Sequence, residues 1–319
     1  MRLVGSMTTL PERLNDMAIP IKHILRQTVP LELLYLNIPT RTMKGDTYHI
    51  PDDFLAQFGG YKTKVLINRC VDYGPITKLA PTLDLETDPS TYILTFDDDI
   101  IVHRDLVRVL RDRIKIHPNV CWAFSGVCVG RFPFYFQFVI DNEKDQCVDW
   151  IQGVHVVAYR RSFFTTCREL VEFRDATPVT DTLLTNDDHH ISLYLAHSGV
   201  LRVSVGKKIR DFLFVHNEGQ ADALSARTSL LKEHYTILRY ALKKGYYGTQ
   251  YSVYSSVVYI VVKSICGGIL LAFLLPIHVR RYLFVPVCVV VAISLAKSTV
   301  ARMTLLTSSP LLLTPSRQN

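Results

Sequence analysis

"STYILTFDDDIIV", residues 90–102, decides the reading of this chain. Tyr92 to Phe96 are residues that favour a strand. The run then meets three consecutive carboxylates, Asp97, Asp98 and Asp99, and turns apolar again at Ile100. Adjacent acids repel one another and resist burial, so acids delivered by an apolar strand point to a cation. The alternative is a solvated acidic turn, which the apolar residues on both sides disfavour.

Apolar runs and helical patterns alternate around this strand over residues 1–235, as in an α/β domain. "RLVGSM", "LELLYLNI" and "TKVLINR" read as further strands. "PERLNDMAIPIKHILRQT" reads as a helix that Pro20 bends or interrupts, and "ITKLAPTLDLE" as another. "RDLVRVLRDRIKIH" has apolar residues at 106, 107, 109, 110 and 114 with basic residues between them, an amphipathic surface helix. The order predicts a Rossmann-like, mostly parallel sheet flanked by helices. Ligands of such sheets gather at the carboxyl ends of the strands, where the three acids fall.

"CWAFSGVCVGRFPFYFQFV" reads as β, its Phe132, Phe134, Tyr135 and Phe136 forming either a core strand or a sugar-stacking patch. "VDWIQGVHVVAYRRSFF" reads as a strand leading toward a helix. "TNDDHHISLYLAHSG" enters a short helix ending at Gly199, followed by the loop "VHNEGQADALS".

The C-terminal part differs in kind. Residues 236–252 read as a linker, 253–301 as two membrane-associated hydrophobic helices, and 302–319 as a tail. Val253 to Ile277 is apolar for 25 residues apart from Lys263, and 282–296 adds 15 more. A bilayer core takes about 20 apolar residues, so the first run can span only if Lys263 snorkels. Spanning and interfacial arrangements both remain open.

Nine of the 36 basic residues lie from Arg239 onward, where there is no acid, so residues 1–238 hold 27 basic and 29 acidic side chains. The body is thus net −2, which argues against a nucleic-acid partner. Seven scattered cysteines without a CxxC pair suit reduced thiols, and the polar opening "MRLVGSMTTLPERL" does not read as a signal peptide. The expectation is a membrane-associated protein whose catalytic domain faces the cytosol.

Hard carboxylate oxygens suit Mg²⁺ or Mn²⁺, ions commonly shared with a substrate diphosphate. In an extended chain Asp97 and Asp99 point to one side and Asp98 to the other, which makes Asp-x-Asp the working unit.

These stretches resemble, in order, the motifs of GT-A fold glycosyltransferases of the family 2-like kind. "TFDDDII" resembles their Asp-x-Asp motif, and "GSMTTLPERL" their first strand and loop, which implies Thr8, Thr9 and Arg13 near the nucleotide. "YLNIP" resembles the second strand without the acid that often follows there to hold the base. "DYGPITKLAPTL" resembles the helix before the metal strand, with Lys78 facing the sugar-diphosphate. "WIQGVHVVAYRRSFF" resembles the strand near the donor sugar, where Gly153 allows close approach. "NDDHHISLYL" resembles the helix start that carries the catalytic base. The resemblance covers roughly residues 1–220.

It implies a transferase moving sugar from a nucleotide-diphosphate donor to a hydroxyl acceptor on a glycan, lipid-linked sugar or protein. Asp97 and Asp99 would hold Mn²⁺ or Mg²⁺, with His216 as a further ligand or a structural histidine. Asp97 and Asp98 would also line the donor site. Asp188 is the favoured general base, with Asp187 next, and one of the two would cap the helix. His189 and His190 read as neighbours of the base, and Arg160 and Arg161 as phosphate contacts or an exposed helix start. Three alternatives stand beside this reading. A processive polysaccharide synthase is disfavoured because residues 200–245 lack the Trp of its Gln-x-x-Arg-Trp motif. A sugar nucleotidyltransferase is disfavoured by the lack of a Gly-rich N-terminal loop. A catalytically silent sugar-binding module is the third.

Overall fold

The computed structural model describes residues 1–131, 134–139, 144–153, 156–206, 213–215 and 230–247. The expected hydrophobic helices of 253–301, the 302–319 tail and His216 lie outside the described residues. No helix among the described residues is long and apolar enough to cross a membrane. The chain divides into two compact units, Met1–Val129 with Phe136–Gln250, and Gly130–Tyr135 with Tyr251–Asn319. All described residues of the candidate site belong to the first.

Strand β1 (Leu3–Met7) is followed by helix α1 (Ala18–Leu25) and strand β2 (Leu33–Pro39). Pro20 does not break α1: it is the third residue of a helix that begins only at Ala18, after a separate turn of 3₁₀ helix at Pro11–Arg13. The first four N–H groups of a helix have no partner within it, so a missing donor there costs nothing. Strand β3 (Lys64–Cys70) comes next, then helix α2 (Ala80–Leu85), strand β4 (Tyr92–Phe96), strand β5 (Ile100–Val102) and helix α3 (Leu106–Ile116). Leu106, Val107, Leu110 and Ile114 of α3 are buried, as the spacing predicts.

The aromatic-rich stretch forms strands β6 (Val120–Ala123), β7 (Gly126–Arg131) and β8 (Phe134–Val139). The segment expected as one further strand is two, β10 (Trp150–Ile151) and β11 (Val157–Arg160), preceded by β9 (Gln146–Cys147). Gly153 and a left-handed Val156 (φ 63°) lie between β10 and β11 and turn the chain there. Helices α4 (Cys167–Asp175), α5 (Thr180–Leu183) and α6 (Asp187–His197) lead to strands β12 (Leu201–Ser204) and β13 (Leu213–Val215) and helix α7 (Leu230–Lys244). Helix α7 runs through residues expected to be linker, and Ile237, Leu238, Ala241 and Tyr247 are buried in one cluster with Trp150, Leu183 and Leu193.

The main sheet has eight strands in the order β3-β2-β1-β4-β11-β6-β12-β9. All are parallel except β11 and β9. The chain leaves β1 toward β2 and β3, then returns across β1 to form β4. This reversal makes the carboxyl ends of β1 and β4 a topological switch point, where such sheets open a crevice. Because β11 runs against β4, with Val157 opposite Thr95, the segment entering β11 arrives at that same edge. One face of the sheet buries Leu34, Leu36, Leu94 and Phe96 with residues of α1 and α3.

Candidate functional site

At the switch point the strand geometry expected for the three acids gives way to a turn. β4 ends at Phe96, and Asp97, Asp98 and Asp99 form the bend before β5. The acids therefore do not alternate as on a strand. Asp98 and Asp99 share Arg13, at 3.2 and 3.5 Å, while Asp97 turns to Lys78. Thr9 Oγ1 donates to Asp98 Oδ2 at 2.6 Å, and the Tyr48 hydroxyl donates to the Thr9 carbonyl at 2.7 Å. Thr8 turns away from this group and donates to the Asn37 carbonyl at 2.7 Å.

Lys78 is the hub. Its Nζ donates to Asp97 Oδ1 at 2.7 Å and stands 2.9 Å from Asp187 Oδ2, an ion pair without hydrogen-bond alignment. Burial opposes the lysine's charge, but Asp187, Asp97 and Asp188 outweigh it and hold the ammonium well above its ordinary range. Burial pushes Asp97 up to about 6 against the pull of Lys78, and pushes Asp98 up against Thr9 and Arg13. One buried cation thus serves several carboxylates, and they are only partly neutralised.

Helix α6 brings the second pair of acids. Its cap is Asn186, whose side chain accepts from the His189 N–H at 3.4 Å, so neither Asp187 nor Asp188 is needed for capping. Both belong to the first turn, where the helix dipole favours negative charge. Asp188 Oδ1 accepts from the Gly153 N–H at 2.7 Å. Burial and the neighbouring Asp187 push the Asp188 carboxyl up to about 8. A Cβ at Gly153 would lie 2.6 Å from Asp188 Oδ1 and 3.2 Å from Lys78 Nζ, so close approach requires glycine here.

Beneath the hub lies a buried polar network that the sequence analysis missed. Ser6 donates to the Lys78 carbonyl at 2.5 Å and meets Thr82 at 2.6 Å. Asn37 donates to both Ser6 and Thr82, and Asn68, its partner in register on β3, donates to Asn37 Oδ1 at 2.8 Å. Ser6, Asn37 and Thr82 are fully buried. Such groups are costly to bury unless bonded, and here they fix the turn that carries Lys78. The available signal was a polar residue in the middle of two apolar strands, "GSM" and "YLNIP".

Thr9, Arg13, Lys78, Asp97, Asp98, Asp99, Gly153, Asp187 and Asp188 are therefore brought together. Arg160 and Arg161 are not. Arg161 donates to the carbonyls of Leu83, Glu86, Phe164 and Thr165, and Arg160 to Asn119. His189 and His190 are buried and bonded to Tyr247, His234 and the Leu170 carbonyl, as neighbours of the acids.

No family model and no curated protein matches the chain. Among solved structures it is similar to Staphylococcus aureus TarS. The 1–349 fragment aligns at TM-score 0.43 and 11% identity over 75% of this chain and 64% of that one. The same fragment in complex with UDP-GlcNAc gives 0.44 and 11% over 75% and 65%, and the longer TarS structure 0.44 and 11% over 75% and 38%. The chain spans less than two thirds of the length of these TarS chains. A likeness at this level leaves the chemistry to be read from the side chains.

Proposed function

We propose that the chain is a GT-A-type glycosyltransferase that moves a sugar from a nucleotide-diphosphate donor to a hydroxyl acceptor with inversion. The observation that carries this reading is the meeting of two acid groups, one from the β4 turn and one from the start of α6, around Lys78 at the switch point. One group suits a donor diphosphate and its cation, the other an acceptor hydroxyl.

Mn²⁺ or Mg²⁺ fits the donor set in a limited way. Among the described residues no three of His, Cys, Asp or Glu converge on one cation position. Asp97 is engaged by Lys78 and Asp98 by Thr9 and Arg13, whereas Asp99, 29% exposed, makes only the 3.5 Å ion pair among the described residues. That pattern suits an ion held by one carboxylate and completed by the substrate's phosphates, with Asp97 joining if Lys78 moves to the diphosphate. Such an ion would supply charge stabilisation to the departing nucleoside diphosphate. Arg13 and Lys78 add fixed positive charge beside the leaving group, and Thr9 and Arg13 orient Asp98.

Asp188, held by the Gly153 N–H, accepts the proton of the acceptor hydroxyl. The acceptor oxygen bonds to the anomeric carbon, the bond from that carbon to the diphosphate oxygen breaks, and the nucleoside diphosphate leaves with the electron pair. The acceptor is a glycan, lipid-linked or protein hydroxyl. The two apolar runs within 253–301 support a membrane location, and scattered cysteines without a CxxC pair suit a cytosolic side for this domain.

A specific observation favours one competing reading, the silent binding module: the acids are already served by the chain's own lysine. The deciding experiment offers the full chain a panel of nucleotide sugars, UDP-GlcNAc first, with Mn²⁺, Mg²⁺ or chelator. Metal-dependent release of one nucleoside diphosphate, lost in Asp99→Ala, is the expected result. Donor binding without turnover is the silent module's signature, and no donor binding at all overturns the transferase reading.

A further inference from the structure

The hydrogen bond from the Gly153 N–H to Asp188 joins the segment just after β10 to the first turn of α6. On the first segment, Trp150 and Ile151 of β10 stand three and two residues before Gly153. On the second, His189 and Ser192 of α6 follow Asp188. A buried cluster binds the two: the Trp150 ring packs 4.2 Å from the His189 ring, centroid to centroid, and the Ile151 N–H donates to Ser192 Oγ at 3.0 Å.

The rest of the cluster comes from the far end of the described chain. His189 Nδ1 lies 3.1 Å from the Tyr247 hydroxyl, and His189 Nε2 lies 2.8 Å from His234 Nδ1. The His234 ring stacks on Trp150 with 14° between planes and centroids 6.0 Å apart. Tyr247 and His189 are fully buried. A half-satisfied polar cluster in such surroundings would be costly, so each partner holds the others to one arrangement.

We propose that Trp150, His189, Ser192, His234 and Tyr247 form a positioning clamp that sets Asp188 against Gly153, so that α7 and the residues just after it complete the site. A nearby contact gives the control. The Tyr246 hydroxyl lies 3.2 Å from His197 Nδ1 at the opposite end of α6, fixing the same helix to the same segment without reaching the Asp188 end. The clamp's effect on turnover rests on the transferase reading; its effect on the Gly153 N–H does not.

The test is amide hydrogen exchange at Gly153 in the full chain, comparing the wild type with Tyr247→Phe, His234→Leu and Tyr246→Phe at matched distance below each thermal midpoint. The clamp requires at least tenfold faster Gly153 exchange in Tyr247→Phe and His234→Leu, and wild-type exchange in Tyr246→Phe. With a turned-over donor, kcat falls in the first two variants while donor KM holds. Unchanged Gly153 exchange in Tyr247→Phe, or equal acceleration in Tyr246→Phe, overturns the clamp. Should His234→Leu not fold, Tyr247→Phe with the control decides alone. The exchange pattern in a chain without turnover overturns the transferase reading and leaves the clamp standing.

Discussion

Lys78 and Asp97 meet at 2.7 Å, so the cation expected to face a donor's diphosphate is bound to an acid expected to face the metal. Lys78 is buried and Asp97 partly so, and the lysine is shared with Asp187 at 2.9 Å. A ligand bringing its own charges to this crevice has to exchange partners with it.

Lys78→Met removes the only cation bonded to Asp97 and Asp187 among the described contacts. Breaking a buried pair from one side costs about 3–5 kcal/mol. Denaturant unfolding at pH 8 should show a loss of this order. The loss should shrink at pH 5, where the raised Asp97 and Asp188 carboxyls hold protons.

Stability itself should fall as pH rises from about 4 to about 8. Asp97 and Asp188 start near 3.8 in the unfolded chain and are raised to about 6 and about 8 in the fold. Over that window the folded state holds more protons than the unfolded one, so unfolding free energy decreases with pH. Asp188→Asn keeps an acceptor for the Gly153 N–H and should flatten the slope between pH 6 and 8. The check is the denaturant midpoint of both proteins at four pH values.

Asp188 is also the proposed base, and a carboxyl raised to about 8 is mostly protonated at pH 7. The kcat/KM of the free enzyme should therefore climb toward a plateau above pH 8. In Asp188→Asn turnover should fall by about 10²- to 10⁴-fold, the usual contribution of general-base catalysis. Steady-state rates from pH 5.5 to 9 test both statements.

Gly153→Ala puts a methyl 2.6 Å from Asp188 Oδ1. Overpacking costs about 1–3 kcal/mol, and an ångström of misplacement at a reacting group about 100-fold in rate. Thermal unfolding and turnover, measured on the same sample, should show a modest loss and a large one.

Arg161→Leu separates a brace from a phosphate contact. The guanidinium ties the end of α2 to the start of α4 through four carbonyls. Its loss should cost about 1–3 kcal/mol of stability and leave donor affinity at the wild-type value.

Most of the fold was legible because its signals are local. Apolar runs of strand length mark β1 to β4, the 3.6-residue stripe marks α3, and Asn186 with Gly199 (φ 71°) brackets α6. The site was legible as a set of residue types but not as a set of bonds. A pairing such as Thr9 with Asp98 joins positions 89 residues apart, and no periodicity reports it. The side-to-side placement of the three acids failed because it assumed extended backbone where the chain turns. The assignment of the cap to an aspartate failed because Asn186, one residue earlier, does that work.

The position of β11 bears on how the chain reaches its final form. This strand lies between β4 and β6, both of which precede it in the sequence. Until residues 157–160 arrive, β4 and β6 cannot occupy their final places, and the central sheet must stay open with two unpaired edges. Long-range pairings of this kind are slow to form, because loop closure comes before any reward. The acids of α6 lie later still, so a nascent chain carries half a site with its carboxylates unmatched. Activity would thus arise in one step, at the end of folding, rather than accumulate along the way.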